Sequence, residues 1–133
     1  MKILITSLVI GCFVLFTPLA QADAPVRPPQ SLESLISTYS RQYGVSEHLM
    51  TYIVQAESTG STTIIGDMNI KCPYTGKPVR SKGLVQISDC YHPEVTDEQA
   101  FDAEFSIAFL ARNLHLGNCH EWTTCKGMDN VLY

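Results

Sequence analysis

Between Thr59 and Cys90 the helical spacing of apolar residues that governs the chain on either side disappears. Thr62-Thr63-Ile64-Ile65 is β-branched, Gly66-Asp67 is a turn signal, and Lys71 to Pro78 holds Cys72, two prolines and Gly76. Such a stretch suits short antiparallel strands or long loops. Gly83 to Ile87 reads as a strand or as the start of a further turn, and periodicity leaves both open. With helices before and after it, this polar segment is expected to form a small lobe opposite a helical body.

The helical parts are read from their caps. Ser31 to Tyr43 places Leu32, Leu35, Ile36, Tyr39 and Tyr43 on one side, with Gly44 as its stop. Ser46 is a good N-cap for a second helix; the next eleven positions hold no Gly or Pro, and Leu49, Ile53 and Ala56 recur at helical spacing. Thr96-Asp97-Glu98-Gln99 is a capping box that opens a third helix ending before Gly117. In it Phe101, Phe105, Ala108 and Phe109 fill one face and Ala103, Ile107, Leu110 and Leu114 another, which suits a central buried helix. Asp102 and Glu104 read as solvated or capping charges, and His115 as a partner of the helix dipole. Cys119 to Cys125 encloses Trp122 in a short helical turn. The expected class is α+β, mainly helical.

Residues 1–22 read as a signal peptide: Lys2 is the only charge, Ile3 to Phe16 is almost wholly apolar, and Ala20-Gln21-Ala22 offers a cleavage site. The apolar run is too short for a spanning helix. Val9-Ile10-Gly11-Cys12 resembles a lipoprotein box, so contact with a membrane is expected only if Cys12 is lipidated. Asp23 to Gln30, with Pro25, Pro28 and Pro29, is an extended linker, leaving residues 31–133 as one small domain.

Without Cys12 the chain keeps Cys72, Cys90, Cys119 and Cys125, which in an exported domain read as two disulfides. Three pairings are possible; locality favours Cys72–Cys90 with Cys119–Cys125. No C-x-x-C or H-x-x-x-H spacing is present, so neither zinc nor another metal or cofactor is expected. The formal net charge of −4 argues against nucleic acid as a partner.

Glu57 is the candidate catalytic residue. It follows Ile53 by four in the last turn of the second helix, near the edge of the buried stripe. A carboxylate there is poorly solvated and meets the negative end of the helix dipole. Both effects favour the protonated form that a general acid needs. The competing reading is an exposed last-turn glutamate.

Gly44-Val45, Ala56-Glu57-Ser58, Gly83-Leu84-Val85-Gln86-Ile87 and the Phe101-to-Leu114 helix together resemble the soluble lytic transglycosylase family, which shares the lysozyme-like fold. Glu57-Ser58 is similar to its first motif, and Gly83-Leu84-Val85-Gln86 to its Gly-Leu-Met-Gln motif with Val for Met. Asp102-Ala103 and Ile107 stand where its third region begins. The Ala-Tyr-Asn motif is not visible before Tyr133. The resemblance implies a lysozyme-like domain whose loop or β lobe is braced by disulfides. It implies that Glu57 protonates the glycosidic oxygen between N-acetylmuramic acid and N-acetylglucosamine in peptidoglycan glycan strands. Glu57 would then act as base while the muramyl 6-hydroxyl closes a 1,6-anhydro ring; the sugar's own acetamido group would stabilise the developing cation, so that no second carboxylate is needed. Gln86 would bind substrate from the groove wall and Ser58 would orient Glu57.

An exported, periplasmic or extracellular, transglycosylase is therefore expected, opening the wall for a secretion or conjugation complex. Net charge would not draw acidic wall polymers in, so any attraction must be local. A hydrolytic lysozyme would need a second carboxylate, for which Asp67 and Asp89 in the loop lobe are the candidates. A catalytically inactive wall-binding or scaffold protein of an envelope-spanning apparatus would explain the missing third motif.

Overall fold

The computed structural model describes residues 29–125. The expected leader with Cys12, the linker through Pro28 and the chain end at Tyr133 lie outside the described residues. Helix α1, Leu32–Tyr43, starts where the Ser31 hydroxyl accepts the Ser34 N–H at 3.2 Å and stops at Gly44, whose φ is +65°. It buries Leu35 and Ile36 and half-buries Tyr39 and Tyr43. Helix α2, Glu47–Ser58, is capped by the Ser46 hydroxyl, which accepts from Leu49 N–H at 3.2 Å. Its buried stripe runs through Leu49, Met50, Ile53, Val54 and Ser58, and Ala56 is exposed, contrary to the expected spacing. Glu57, three and four residues after Val54 and Ile53, therefore continues the stripe itself rather than its edge.

The single long helix expected after Thr96 is two. Helix α3, Asp97–Phe101, opens on the capping box and ends at Asp102, whose backbone is extended. Helix α4, Ala103–His115, begins there, with Asp102 Oδ1 accepting the Phe105 N–H at 2.7 Å. Apolar spacing carries on across this break, which hides it; the capping aspartate is what makes it. The break leaves the Ala100 carbonyl to the Ser106 hydroxyl at 2.9 Å. Ile107, Leu110 and Ala111 of α4 are fully buried against the core, whereas Phe101, Phe105 and Phe109 are only partly covered.

The polar segment forms a three-stranded antiparallel sheet in the order β1 (Ile65–Gly66), β2 (Ser81–Lys82), β3 (Ile87–Ser88). Lys82 stands between Ile65 and Ile87, and Ser81 between Gly66 and Ser88. Gly66 thus belongs to a strand, and the turn begins at Asp67, whose φ is +62°. Gly83 to Gln86 is the turn of the β2–β3 hairpin, and the strand resumes at Ile87. Both disulfides pair locally, Cys72–Cys90 and Cys119–Cys125. The second ties together two short 3-10 turns, Asn118–Glu121 and Thr123–Cys125.

The two parts are not merely apposed. Leu84 and Val85, at the tip of the hairpin, are 1% and 0% exposed and join the core formed by α1, α2 and α4. Trp122 seals this insertion, its indole N–H donating to the Val85 carbonyl at 2.8 Å. Gly83 lies so close to α3 that a Cβ there would stand 1.9 Å from the Ala100 oxygen, and its φ is +72°. Space and backbone conformation thus explain the glycine at this position. Beside it, the buried Lys82 ammonium reaches Asp97 at 2.7 Å and Arg80 reaches the same carboxylate at 2.9 Å, fastening α3 to β2. These two hydrogen bonds, Lys82 first, hold the Asp97 carboxyl below its usual range. No helix among the described residues is long and apolar enough to cross a membrane.

Candidate active site

Because the α2 stripe passes through its last turn, Glu57 is carried half into the protein. Its Oε1 accepts a hydrogen bond from the Thr124 hydroxyl at 3.0 Å. Thr124 arrives from 67 residues away, in the 3-10 turn closed by Cys119–Cys125. Burial pushes the Glu57 carboxyl above its ordinary value and is the largest influence; the Thr124 bond opposes it, and the negative charge of Asp67 adds to it. The net direction is upward, towards the protonated acid. Poor solvation was legible in the sequence, whereas Thr124 and the proximity of Asp67 were not.

Asp67 is set by the turn after β1, and its carboxylate accepts from the hydroxyl of the buried Ser81 on β2. Gln86 has a φ of +52°, and its amide N–H donates to the Gly83 carbonyl at 3.0 Å and reaches that of Ile64 at 3.5 Å. Its Oε1 lies over Gly66, where a Cβ would come within 2.5 Å. Gln86 and Asp67 are therefore neighbours through β1: one rests on Gly66 and the other follows it. Gln86 also lines a cavity of about 480 Å³ with Ser88, Tyr91, His92, Glu121 and Trp122, to which Glu57 does not contribute.

The remaining candidates are held by backbone. Ser58 is 2% exposed; its hydroxyl donates to the Val54 carbonyl at 3.1 Å and accepts the Gly60 N–H at 3.2 Å, which fixes the end of α2 directly after Glu57. Asp89 accepts the Arg80 N–H at 2.9 Å. The structure thus gathers Glu57, Thr124 and Asp67, with Gln86 adjoining through Gly66, and leaves Ser58 and Asp89 in the scaffold. Nothing in the spacing of Thr124 or Ser81 marked them, beyond the enclosure of Thr124 by two cysteines. Among the described residues no group of three or more His, Cys, Asp or Glu is arranged to hold a metal ion.

Chemically, the centre is a carboxyl biased towards its acid form. One of its oxygens is engaged by a hydroxyl, and a second carboxylate lies near enough to act through its charge. The sequence model of a family described as a lysozyme-like domain matches residues 37–124, two thirds of the chain, from α1 through Thr124. No curated protein and no solved structure matches the chain.

Proposed function

The chain belongs to the lysozyme-like domain family, and on that footing we propose that it is an exported lytic transglycosylase acting on peptidoglycan glycan strands. The supporting observation is the state of Glu57, a half-buried carboxyl raised by burial and by Asp67 in a domain whose family fold is that of glycosidic-bond cleavage. Glu57 gives its proton to the oxygen linking N-acetylmuramic acid to N-acetylglucosamine as that bond breaks. It then takes the proton of the muramyl 6-hydroxyl as this oxygen bonds to the anomeric carbon, and the 1,6-anhydro ring closes. Thr124 holds one carboxyl oxygen, leaving the other for both transfers. The two disulfides support export to an oxidising compartment. A secretion or conjugation complex is the proposed setting for such local opening of the wall.

Purified sacculi test the reading. Wild type releases anhydro-ended muropeptides, and Glu57→Gln lowers release at least about 100-fold, the range expected for a general acid. The raised Glu57 pKa means that its contribution to stability is intact below the ordinary glutamate range and is lost as pH rises through the raised value. Glu57→Gln therefore melts slightly higher than wild type near pH 7, and the gain vanishes in acid. Equal release by both proteins would remove Glu57 from the chemistry. Release by neither would favour an inactive wall-binding protein.

A second reading, hydrolysis with Asp67 as the partner carboxylate, is favoured by the charge that Asp67 exerts on Glu57. Mass spectrometry separates the two, because an anhydro product is lighter by one water than a reducing-end product. Asp67→Asn abolishes release only in the hydrolytic case.

A further inference from the structure

Residues 68–88 contain Lys71, Lys77, Arg80 and Lys82 and no Asp or Glu, within a chain whose formal net charge is −4. Arg80 and Lys82 are engaged by Asp97. Lys71 and Lys77 are exposed and make no ion pair among the described residues. Around them lie large apolar side chains that the fold leaves uncovered: Met68 at 61%, Ile70 at 55%, Tyr74 at 75% and Tyr91 at 62% exposure. A cluster of that kind on a small domain calls for an occupant.

The surface is held in shape. Val79 N–H bonds to the Ile70 carbonyl at 2.7 Å, and Cys72 N–H to that of Lys77 and Gly76 N–H to that of Cys72 at 2.8 Å each. Cys72 is then tied to Cys90, next to Tyr91. In consequence the Tyr74 and Tyr91 rings meet edge to face with centroids 6.0 Å apart, although both face water. Such preorganisation lowers the ordering cost of binding. Tyr91 also lines the cavity that Gln86 lines, so the ring pair borders that concave surface directly. Within that cavity the Glu121 carboxylate is occupied by His92 at 3.1 Å.

We propose that Tyr74, Tyr91, Lys71 and Lys77 form a docking platform for the peptide-bearing glycan of the cell wall, beside the cavity that Gln86 and Tyr91 line. The proposal rests on the function given above. Tyrosine rings offer apolar faces to the C–H faces of sugars while keeping a polar tip in water. Lysine ammonium groups meet the carboxylates of the peptide stems, supplying local attraction on a protein whose net charge repels the same polymer.

The test uses the mature full chain carrying Glu57→Gln, so that bound polymer is not cut, sedimented with purified, protein-free sacculi. Adding Tyr74→Ala and Tyr91→Ala is expected to raise the half-saturating concentration about tenfold. Adding Lys71→Gln and Lys77→Gln instead weakens binding at low salt and flattens its salt dependence. Melting curves and a free-thiol assay establish that each variant is folded and crosslinked, and the lysine pair serves if the tyrosine pair is not. The platform is overturned if the parent does not sediment. It is overturned equally if folded variants bind as tightly as the parent with the same salt dependence, the result a protein-docking surface would give. Muropeptide release by wild type is a separate readout: its absence removes the Glu57 reading, whereas intact release with unaltered binding removes only the platform.

Discussion

The two disulfide-closed loops use one covalent device for opposite ends. Their Cα–Cα distances are alike, 5.5 and 5.6 Å. Cys119–Cys125 joins residues six apart, and both sulfurs lie in the main core with Trp122. Its yield is internal: one hydroxyl, that of Thr124, set on the Glu57 carboxyl. Cys72–Cys90 joins residues 18 apart in the sheet lobe, outside that core, with Cys72 buried and Cys90 half-buried. Its yield faces outward, as the exposed Tyr74–Tyr91 pair. A crosslink against the core fixes a single atom beside a half-buried carboxyl, whereas a crosslink over a loop too small for a core of its own fixes a surface.

The contrast depends on the hairpin tip that joins the two regions, and Gly83→Ala attacks it there. The added Cβ meets the Ala100 carbonyl at a positive φ. We expect a loss of about 3 kcal/mol or more, read in urea unfolding, and a fall in Tm of at least about 10 °C. A tolerated Gly83→Ala would mean that the loops are held independently. Removing the crosslinks separately comes next in size. By loop length, Cys72→Ser with Cys90→Ser costs about 3 kcal/mol and Cys119→Ser with Cys125→Ser about 2 kcal/mol. Muropeptide release is expected to fall in the reverse order relative to stability, because only the second pair holds Thr124 on the acid. If both pairs lower release in proportion to stability, the division of labour is gone.

The smallest effects carry opposite signs and are read from kcat/KM against pH. Thr124→Val removes a bond that favours the carboxylate, so the Glu57 pKa rises further and the limb marking loss of the proton donor moves to higher pH. Asp67→Asn removes a like charge, so that limb moves to lower pH. Shifts in one direction for both variants would show that neither acts on Glu57 in the way its position implies.

Helices α1 and α2, their serine caps, the Gly44 stop and the capping box at Thr96 were legible because each is written within a few neighbouring residues. Disulfide pairing followed locality for the same reason. Asp102 concealed its break because the apolar spacing of α3 and α4 runs on in phase, and only the extended backbone there separates them. Gly66 looked like a turn because glycine commonly makes one, yet it serves β1 by leaving room for the Gln86 carboxamide. The Gly83 turn could not be told from a strand, since four residues are too few to show a period.

Sequence alone settled that Glu57 ends a helix with an apolar stripe, since caps and periodicity are local properties and a carboxyl placed there loses water. The tertiary structure decided which groups act on that carboxyl. Thr124 stands 67 positions away and Asp67 on another element, and no spacing rule links them to Glu57. Hydrogen bonds and charges act through space, so the environment of a side chain becomes definite only when the core has closed and brought distant segments within a few ångströms of one another.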